Sequence, residues 1–388
     1  MKRRESLPTT RPVSPSTPGP VENTDVGPAE ADRARGTLLA FAFALTLLLY
    51  PALTKDPNPP FVPPPGATTD LDFYERISGC VREGESYYDA SQRELRAHGY
   101  PTRSVFNWRP PTLTWLSGRL PGLDWLRSVL VLVVLFAVAL TSLDLLRDVR
   151  LIPAGVGAVA FVGATAWVFG PKTFLFHEVW AGALITLSLG LLRRNWVRSG
   201  VAVGVAALFV RELALPYVLV CLALAWYEGR RREMRAWMLG LAVFAPFMIA
   251  HALAVLSRLN DLDHAMPKGW VRFGGARFVL VTSQSNVFLM ALPLWCTAVY
   301  TALSGLGFWY WCRENGEGRR TGLTAAAYLA AFSVVGAPFN FYWGFVDAPL
   351  LAIGFAHAPG ALAGLVETAV LRSNVNRGIC PVRGGAVS

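Results

Sequence analysis

Two aspartates two residues apart, Asp70 and Asp72, are the side chains of this sequence that best suit chemistry on a hydroxyl group. They stand in the element Thr-Asp-Leu-Asp. An ionised carboxylate can accept the proton of an alcohol, and two carboxylates at this spacing could also share a divalent cation. The alternative is an exposed helix start, where aspartate is favoured by capping and by the helix dipole. The pattern leaves both interpretations open.

A charged pair, Arg211 and Glu212, stands in the middle of an apolar run from 200 to 226. An ionisable side chain inside a membrane span costs about 2.5–3.5 kcal/mol on insertion scales, so it is a functional candidate by default. The guanidinium offers a planar fork of donors that matches a phosphate. The alternative is that the two side chains pair with each other and stabilise a break in the helix.

Other polar residues stand at the ends of apolar runs. His177 and Glu178 follow Gly170-Pro171-Lys172 at the start of the run 178–192. They could face the same outer cavity as Asp70, or they could form an ordinary interfacial helix cap. Further polar residues without a specific spacing are Asp261, Asp263, His264 and Lys268 in one loop, and Asn340, Tyr342, Trp343 and Asp347 before the last run. The aromatic residues of the second group suit a membrane-interface belt.

The elements that must position these residues are membrane helices. Of the 388 residues, 53% are hydrophobic and only 16% are charged, and the mean hydropathy is +0.38. Apolar runs recur at about 36–53, 128–146, 152–170, 178–192, 200–226, 236–256, 287–311, 321–339 and 344–370. Several reach the roughly 20 residues that cross a bilayer. Backbone polar groups in lipid must be satisfied within the segment, so these runs predict helices.

The distribution of arginines predicts the orientation. The formal net charge is +10, but the arginines cluster in short loops between the runs, for example at 230–235. This is the positive-inside pattern, and it predicts a multi-pass cell-membrane protein with both termini in the cytoplasm. No basic patch is interleaved with stacking aromatics, which argues against nucleic-acid binding.

The sequence predicts an all-α, polytopic transmembrane bundle of about ten membrane helices. Basic loops flank the run 200–226 on both sides, and Arg211, Glu212 and Pro216 interrupt it, so we expect a hairpin of two short helices, about 200–210 and 214–226. The long loop 54–126 is predicted to lie outside, with a stiff stretch Pro57–Pro65 followed by short interfacial helices. The expected divisions are a disordered tail at 1–35, the membrane domain at 36–372 and a cytoplasmic tail at 373–388.

In this order of elements the chain resembles the GT-C superfamily, integral-membrane glycosyltransferases that use polyprenyl-phosphate-linked sugars. The matching stretches are TDLDFYERISGCVREGESYYDASQRELRAHGYP, FNWRPPTLTWL and VRSGVAVGVAALFVRELALPYVLVCLALAWYEGRRR. The resemblance covers about residues 36–230 in recognisable order and the rest in hydropathy. The chain departs from the family in having Asp-Leu-Asp instead of adjacent acidic residues, which leaves open which aspartate would act.

The resemblance implies a transfer of a sugar from a polyprenyl-phosphate carrier to a glycan, lipid or protein acceptor on the extracytoplasmic face. Asp70 or Asp72 would deprotonate the acceptor, Arg211 would hold the donor phosphate, and Glu178 would orient sugar or acceptor. His177 and Glu212 would complete the substrate site. The sequence indicates no definite cofactor, and two carboxylates at the spacing of Asp70 and Asp72 could share a divalent cation. The competing hypotheses are a transporter or flippase of a lipid-linked or polar solute, and a non-catalytic scaffold of envelope assembly.

Overall fold

The computed structural model describes residues 28–54, 69–266, 269–314 and 318–376. Over these residues the chain is built of helices, and one isolated antiparallel bridge pairs Val271 with Val335. The predicted all-α fold class is therefore confirmed. The stiff stretch Pro57–Pro65, most of the predicted N-terminal tail and nearly all of the predicted C-terminal tail lie outside the described residues.

Fifteen α-helices make up the described chain. They are α1 (Pro28–Leu53), α2 (Asp70–Arg82), α3 (Tyr87–Ala97), α4 (Thr112–Arg119), α5 (Leu123–Asp148), α6 (Leu151–Thr165), α7 (His177–Arg193), α8 (Val197–Val210), α9 (Leu215–Tyr227), α10 (Arg231–Leu256), α11 (Gly275–Ser283), α12 (Val287–Met290), α13 (Leu294–Glu314), α14 (Gly318–Val334) and α15 (Ala348–Asn376). Short 3-10 segments connect several of them: Val105–Asn107, Ala166–Phe169, Thr173–Leu175, Glu212–Ala214 and Pro338–Phe345.

Five helical segments among the described residues are long and apolar enough to cross a membrane: Ala29–Leu53, Leu123–Asp148, Leu151–Phe169, Arg231–Leu256 and Ala348–Val370. Two shorter apolar segments, Val197–Val210 and Glu212–Tyr227, accompany them. Many large apolar side chains on these helices are exposed, such as Leu39, Phe43 and Phe136. Exposed faces of this kind suit contact with lipid tails. The chain is accordingly a multi-pass membrane protein.

The loop between the first two long membrane helices folds into the predicted short helices. Helix α2 buries one face through Phe73, Tyr74 and Ile77, at the spacing of an amphipathic helix, and packs against α4. Helix α3 ends at Ala97, and Gly99 follows with φ +68. A left-handed residue just after a helix is best supplied by glycine, so the predicted helix end at Gly99 is found.

The interruption at Arg211 is where the sequence predicts it. Helix α8 stops at Val210, Arg211 takes an extended backbone conformation (φ −150, ψ 118), and α9 resumes at Leu215 with Pro216 in its first turn. A side chain on Gly204 of α8 would meet the ring of Tyr217 on α9. The two short helices therefore pack against each other as a hairpin.

Three parts of the described bundle differ from the predicted spans. The run 287–311 is divided into α12 and α13, because Pro293 cannot continue the helical hydrogen bonding of α12. Helix α11 lies between the predicted runs 236–256 and 287–311. It is a short amphipathic element that packs against α14 and the Pro338–Phe345 segment. Helix α1 also starts earlier than predicted, at Pro28, and buries Ala31 and Ala34.

The outside location of the 69–122 region can be tested at Cys80, which is half-buried on α2. A membrane-impermeant thiol reagent should label Cys80 in intact cells, since the arginine pattern predicts that this loop lies outside. Burial raises the pKa of the Cys80 thiol, so labelling should accelerate at mildly alkaline pH. The Cys80→Ser variant provides the blank. Labelling that occurs only after lysis would contradict the predicted orientation.

Candidate active site

Asp70 is the first residue of α2, and its carboxylate is only partly buried. Its Oδ1 atom accepts a hydrogen bond of 2.5 Å from the hydroxyl of Tyr100, just after the turn at Gly99. No ion pair to Asp70 is found in the described part of the chain, so the carboxylate keeps acceptor capacity for a second donor. Asp70 can therefore receive a proton from a hydroxyl group placed beside it.

Asp72 has a different environment, and its interactions are structural. It forms a capping box with Thr69, in which each side chain bonds the other's backbone amide at 3.2 Å. Its other oxygen accepts a 2.7 Å hydrogen bond from Lys172 Nζ. The Lys172 ammonium holds the pKa of Asp72 well below its usual range. A carboxylate of such low basicity is a weaker proton acceptor than an ordinary aspartate.

The spacing of Asp70 and Asp72 suggests a divalent cation, which would need carboxylate oxygens that are available as ligands. One oxygen of Asp72 bonds Lys172 and the other bonds Thr69, so this carboxylate has little left for a metal. Among the described residues, no group of three or more His, Cys, Asp or Glu side chains could hold a metal ion. The pair does not fit a metal site as it stands, and the divalent cation stays a prediction.

Arg109 lies at the centre of the polar cluster beneath α2. Its Nε donates to the Tyr74 hydroxyl at 3.0 Å, and its Nη2 donates to the Tyr342 hydroxyl at 3.1 Å. The side chain is only 6% exposed. Its backbone is left-handed, with φ +50, and the Tyr87 hydroxyl donates to the Arg109 carbonyl at 2.9 Å. A non-glycine residue in this region is strained, and such strain concentrates at functional sites.

Glu178, Arg211 and Glu212 form the base of this cluster. The Glu178 side chain is fully buried, and its Oε1 accepts a 2.7 Å hydrogen bond from Arg211 Nε. Arg109 Nη2 approaches the same oxygen to 3.9 Å. Arg211, 1% exposed, also pairs with Glu212. Two guanidinium groups and two carboxylates thus offset one another inside the bundle, where an unpaired charge would be costly.

His177 lies against the same cluster but forms no part of its ion pairs. The ring is 2% exposed and lies edge-on to Tyr74, with the ring centroids 5.3 Å apart. Neither ring nitrogen has a hydrogen-bond partner among the described residues. His177 therefore packs under α2, and a substrate role for it stays a prediction.

A cavity of about 1190 Å³ adjoins the cluster. Mostly apolar side chains line it, including Phe176, Phe278 and Phe345, and two arginines, Arg272 and Arg277, also contribute to its wall. Further lining residues are strongly exposed apolar groups, namely Phe273, Met290 and Phe341. The cavity therefore reaches the molecular surface at an apolar rim, which in a membrane protein faces lipid.

The cavity and the polar cluster share a wall. Leu71 lines the cavity and directly follows Asp70 in α2. Phe176 also lines the cavity, and its ring stacks on Tyr342 with centroids 5.0 Å apart. The cavity can hold a long apolar molecule with an anionic group near Arg272 and Arg277. Asp70 does not itself line the cavity, but it directly precedes the lining residue Leu71 in α2.

Five of the six predicted site residues lie in or beside the same polar cluster, and the sixth, Asp72, has other partners. Glu178, Arg211, Glu212 and His177 meet under α2, and Asp70 lies above them, linked electrostatically to Tyr74. Asp72 is turned to Lys172 instead. Sequence reasoning missed Arg109, Arg272 and Arg277. The only sequence signal for Arg109 was its place in the stretch FNWRPPTLTWL.

Neither a protein-family model nor a curated protein sequence matches the chain. Two solved structures do: ArnT from Cupriavidus metallidurans bound to undecaprenyl phosphate, with 17% identity and a TM-score of 0.49, and the same protein in the apo state, with 16% identity and a TM-score of 0.44. Each match covers 89% of this chain and 63% of the ArnT chain, so this chain spans less than two thirds of ArnT's length.

Proposed function

We propose that this protein is a membrane glycosyltransferase that moves a sugar from a polyprenyl-phosphate carrier to an acceptor hydroxyl on the extracytoplasmic face. The observation that carries the proposal is the cavity of about 1190 Å³ with an apolar rim, two arginines in its wall and Leu71, the neighbour of Asp70, at its edge. A lipid tail needs the apolar rim, a phosphate needs the arginines, and an acceptor hydroxyl needs the carboxylate.

Arg272 and Arg277 are the proposed phosphate ligands. Arg272 donates to the Gly269 carbonyl and to Met266 Sδ, and no carboxylate among the described residues pairs with it. Arg277 donates to the Pro51 carbonyl at 2.6 Å, at the end of α1. The Arg272 guanidinium is therefore well suited to a phosphate, which it can bind through two parallel hydrogen bonds. Arg277 is proposed as the second ligand because it lines the same cavity.

Arg211 is less suited to the phosphate, although the family resemblance implies that role. Its guanidinium is 1% exposed and bonds Glu178 and Glu212, and it is not among the residues that line the cavity. Binding a phosphate would require Arg211 to leave at least one of these glutamates. We therefore propose that Arg211 supports the Glu178 carboxylate and the break of the hairpin, while the cavity arginines meet the donor.

The proposed reaction is a single displacement at the anomeric carbon. Asp70 accepts the proton of the acceptor hydroxyl as its oxygen bonds to that carbon, and the bond from the carbon to the phosphate oxygen breaks. The leaving polyprenyl phosphate takes the bonding electrons, so negative charge grows on its oxygens. Fixed guanidinium groups stabilise that charge more in the transition state than in the ground state. Attack opposite the leaving group inverts the anomeric centre.

The proposal predicts that Arg272→Gln weakens the binding of the polyprenyl-phosphate sugar donor. A charge-assisted hydrogen bond contributes about 1.5–3 kcal/mol, which corresponds to an affinity loss of roughly 10- to 100-fold. The measurement uses purified protein in lipid nanodiscs and a radiolabelled polyprenyl-phosphate hexose, with release of polyprenyl phosphate as the readout. The KM for the donor should rise by that factor. Arg103→Gln, an exposed arginine of the same outer region that does not line the cavity, should leave KM unchanged.

Two results would count against the proposal at different levels. An unchanged donor KM in Arg272→Gln and Arg277→Gln alike, with transfer intact, would remove these arginines from the phosphate site. If the parent protein neither binds polyprenyl phosphate nor transfers a sugar from a panel of polyprenyl-phosphate hexoses and pentoses, the glycosyltransferase proposal itself fails.

A further inference from the structure

A second polar cluster is buried away from the candidate active site, around Asp347. The Asp347 side chain has no solvent exposure, and neither carboxylate oxygen has a hydrogen-bond partner among the described residues. The hydroxyls of Thr297, Tyr300 and Thr301 on α13 are buried too, and each likewise has no partner among the described residues. Five buried oxygen atoms without partners are an unusual concentration, because buried polar groups are normally hydrogen-bonded.

These side chains lie at the same level of the bundle. Tyr300 packs on Phe355 and Trp311 stacks on His357, so contacts between α13 and α15 follow the same order along both helices. The two helices therefore run parallel, and Asp347, just before α15, lies beside the first turns of α13. The Tyr300 hydroxyl is close enough to the Asp347 carboxylate to interact electrostatically. Thr297 and Thr301 share one face of α13, because residues four apart align on a helix.

The charges around Asp347 do not offset it. The titratable groups near it are Tyr300 on α13 and Tyr328 on α14, whose hydroxyl donates to the Leu213 carbonyl at 2.8 Å. Neither tyrosine is a cation, and the described residues place no lysine, arginine or histidine in an ion pair with Asp347. An isolated ionised carboxylate in a dry interior is very costly, so a positive charge must accompany it.

We propose that Asp347 and the hydroxyls of Thr297, Tyr300 and Thr301 form a buried binding site for one monovalent cation, either a sodium ion or a proton. A sodium ion suits the site because hard cations bind carboxylate, hydroxyl and carbonyl oxygens. The proposal does not depend on the glycosyltransferase activity.

The test is the thermal stability of the purified full chain in detergent, followed by tryptophan fluorescence. Sodium chloride is exchanged for choline chloride at constant ionic strength, at about pH 6 and about pH 9. Burial favours the neutral acid, so the lower pH keeps the carboxyl group protonated and the higher pH favours the ionised carboxylate. If sodium is the ligand, saturating Na⁺ at the higher pH should raise the Tm of the parent by at least about 3 °C. If the proton is the ligand, the Tm in choline should fall as the pH rises, and Na⁺ should have no effect.

Asp347→Asn removes the carboxylate and should abolish whichever dependence the parent shows. Equal Na⁺ and pH dependence in the parent and Asp347→Asn would overturn the proposal. If Asp347→Asn does not fold, Thr297→Val and Thr301→Val take its place, and should shift the Na⁺ concentration or the pH of half-maximal stabilisation. The control is Thr324→Val, a buried threonine of α14 whose hydroxyl is satisfied by the Arg320 carbonyl. Midpoints equal to the control's in both threonine variants would also overturn the proposal.

Discussion

Replacing Asp70 by asparagine should lower the rate of sugar transfer by at least about a hundredfold, since general-base catalysis is typically worth 10²–10⁴-fold. Asparagine keeps the size of the side chain and can still accept the Tyr100 hydrogen bond, so the protein should insert and purify at normal yield. The measurement is the rate of transfer from a polyprenyl-phosphate sugar at saturating donor. The donor KM should stay close to that of the parent, because Asp70 acts on the acceptor.

Asp72→Asn is the matched control for Asp70→Asn. It makes the same change of charge two residues away, on the same helix, and it removes the pairing of Asp72 with Lys172. We expect nearly normal transfer and a lower Tm, because the capping box and the contact with Lys172 stabilise the start of α2. Full transfer in Asp70→Asn would place the base elsewhere. A large loss in Asp72→Asn alone would exchange the roles assigned to the two aspartates.

Replacing Arg211 by alanine should cost the protein much of its stability. The change leaves Glu178 buried without the partner that bonds it at 2.7 Å, and breaking a buried pair in this way typically costs about 3–5 kcal/mol. We expect a strong drop in folded yield and in Tm. Arg211→Lys, which keeps the charge but loses the planar fork, should be intermediate. The measurement is the fraction of monodisperse protein after extraction, together with its Tm.

Arg198→Ala controls for the loss of an arginine from the same short helix, because Arg198 is exposed on α8. It should leave yield and Tm unchanged. The opposite result is equally informative. If Arg211→Ala folds with a normal Tm and loses only the binding of polyprenyl phosphate, Arg211 is the phosphate ligand that the family resemblance implies, and its pairing with the glutamates is dispensable.

The break of the hairpin could be predicted from the sequence because its physical cause is local. Arg211, Glu212 and Pro216 fall within one turn or two of each other in an apolar run, and basic loops stand on both sides. A chain segment that starts and ends at the same membrane face must reverse direction. The charged pair and the proline indicate the position of that reversal. The helix end at Gly99 is local in the same sense.

The centre of the candidate site could not be predicted, because its contacts are not local. Arg109 reaches Tyr74, 35 residues away, and Tyr342, 233 residues away. A single arginine in a proline-rich loop has the pattern of a surface residue until those partners are known. The same holds for Arg272 and Arg277, whose role depends on a cavity formed by several separate segments. The different fates of Asp70 and Asp72 depended on Lys172 and Tyr100, which no short pattern connects to them.

The hydrogen bond from Tyr100 to Asp70 has a consequence for the fate of the donor when no acceptor is present. A carboxylate already engaged by a phenol hydroxyl is less available to activate a stray water molecule, and water is the competitor that would waste an activated sugar. If Asp70 is the base, an acceptor hydroxyl must lie at the part of the carboxylate that Tyr100 leaves open, which requires a well-positioned acceptor. The Tyr100 hydroxyl would then reduce hydrolysis of the donor by water. The lipid-linked sugar would be consumed mainly when the acceptor is bound.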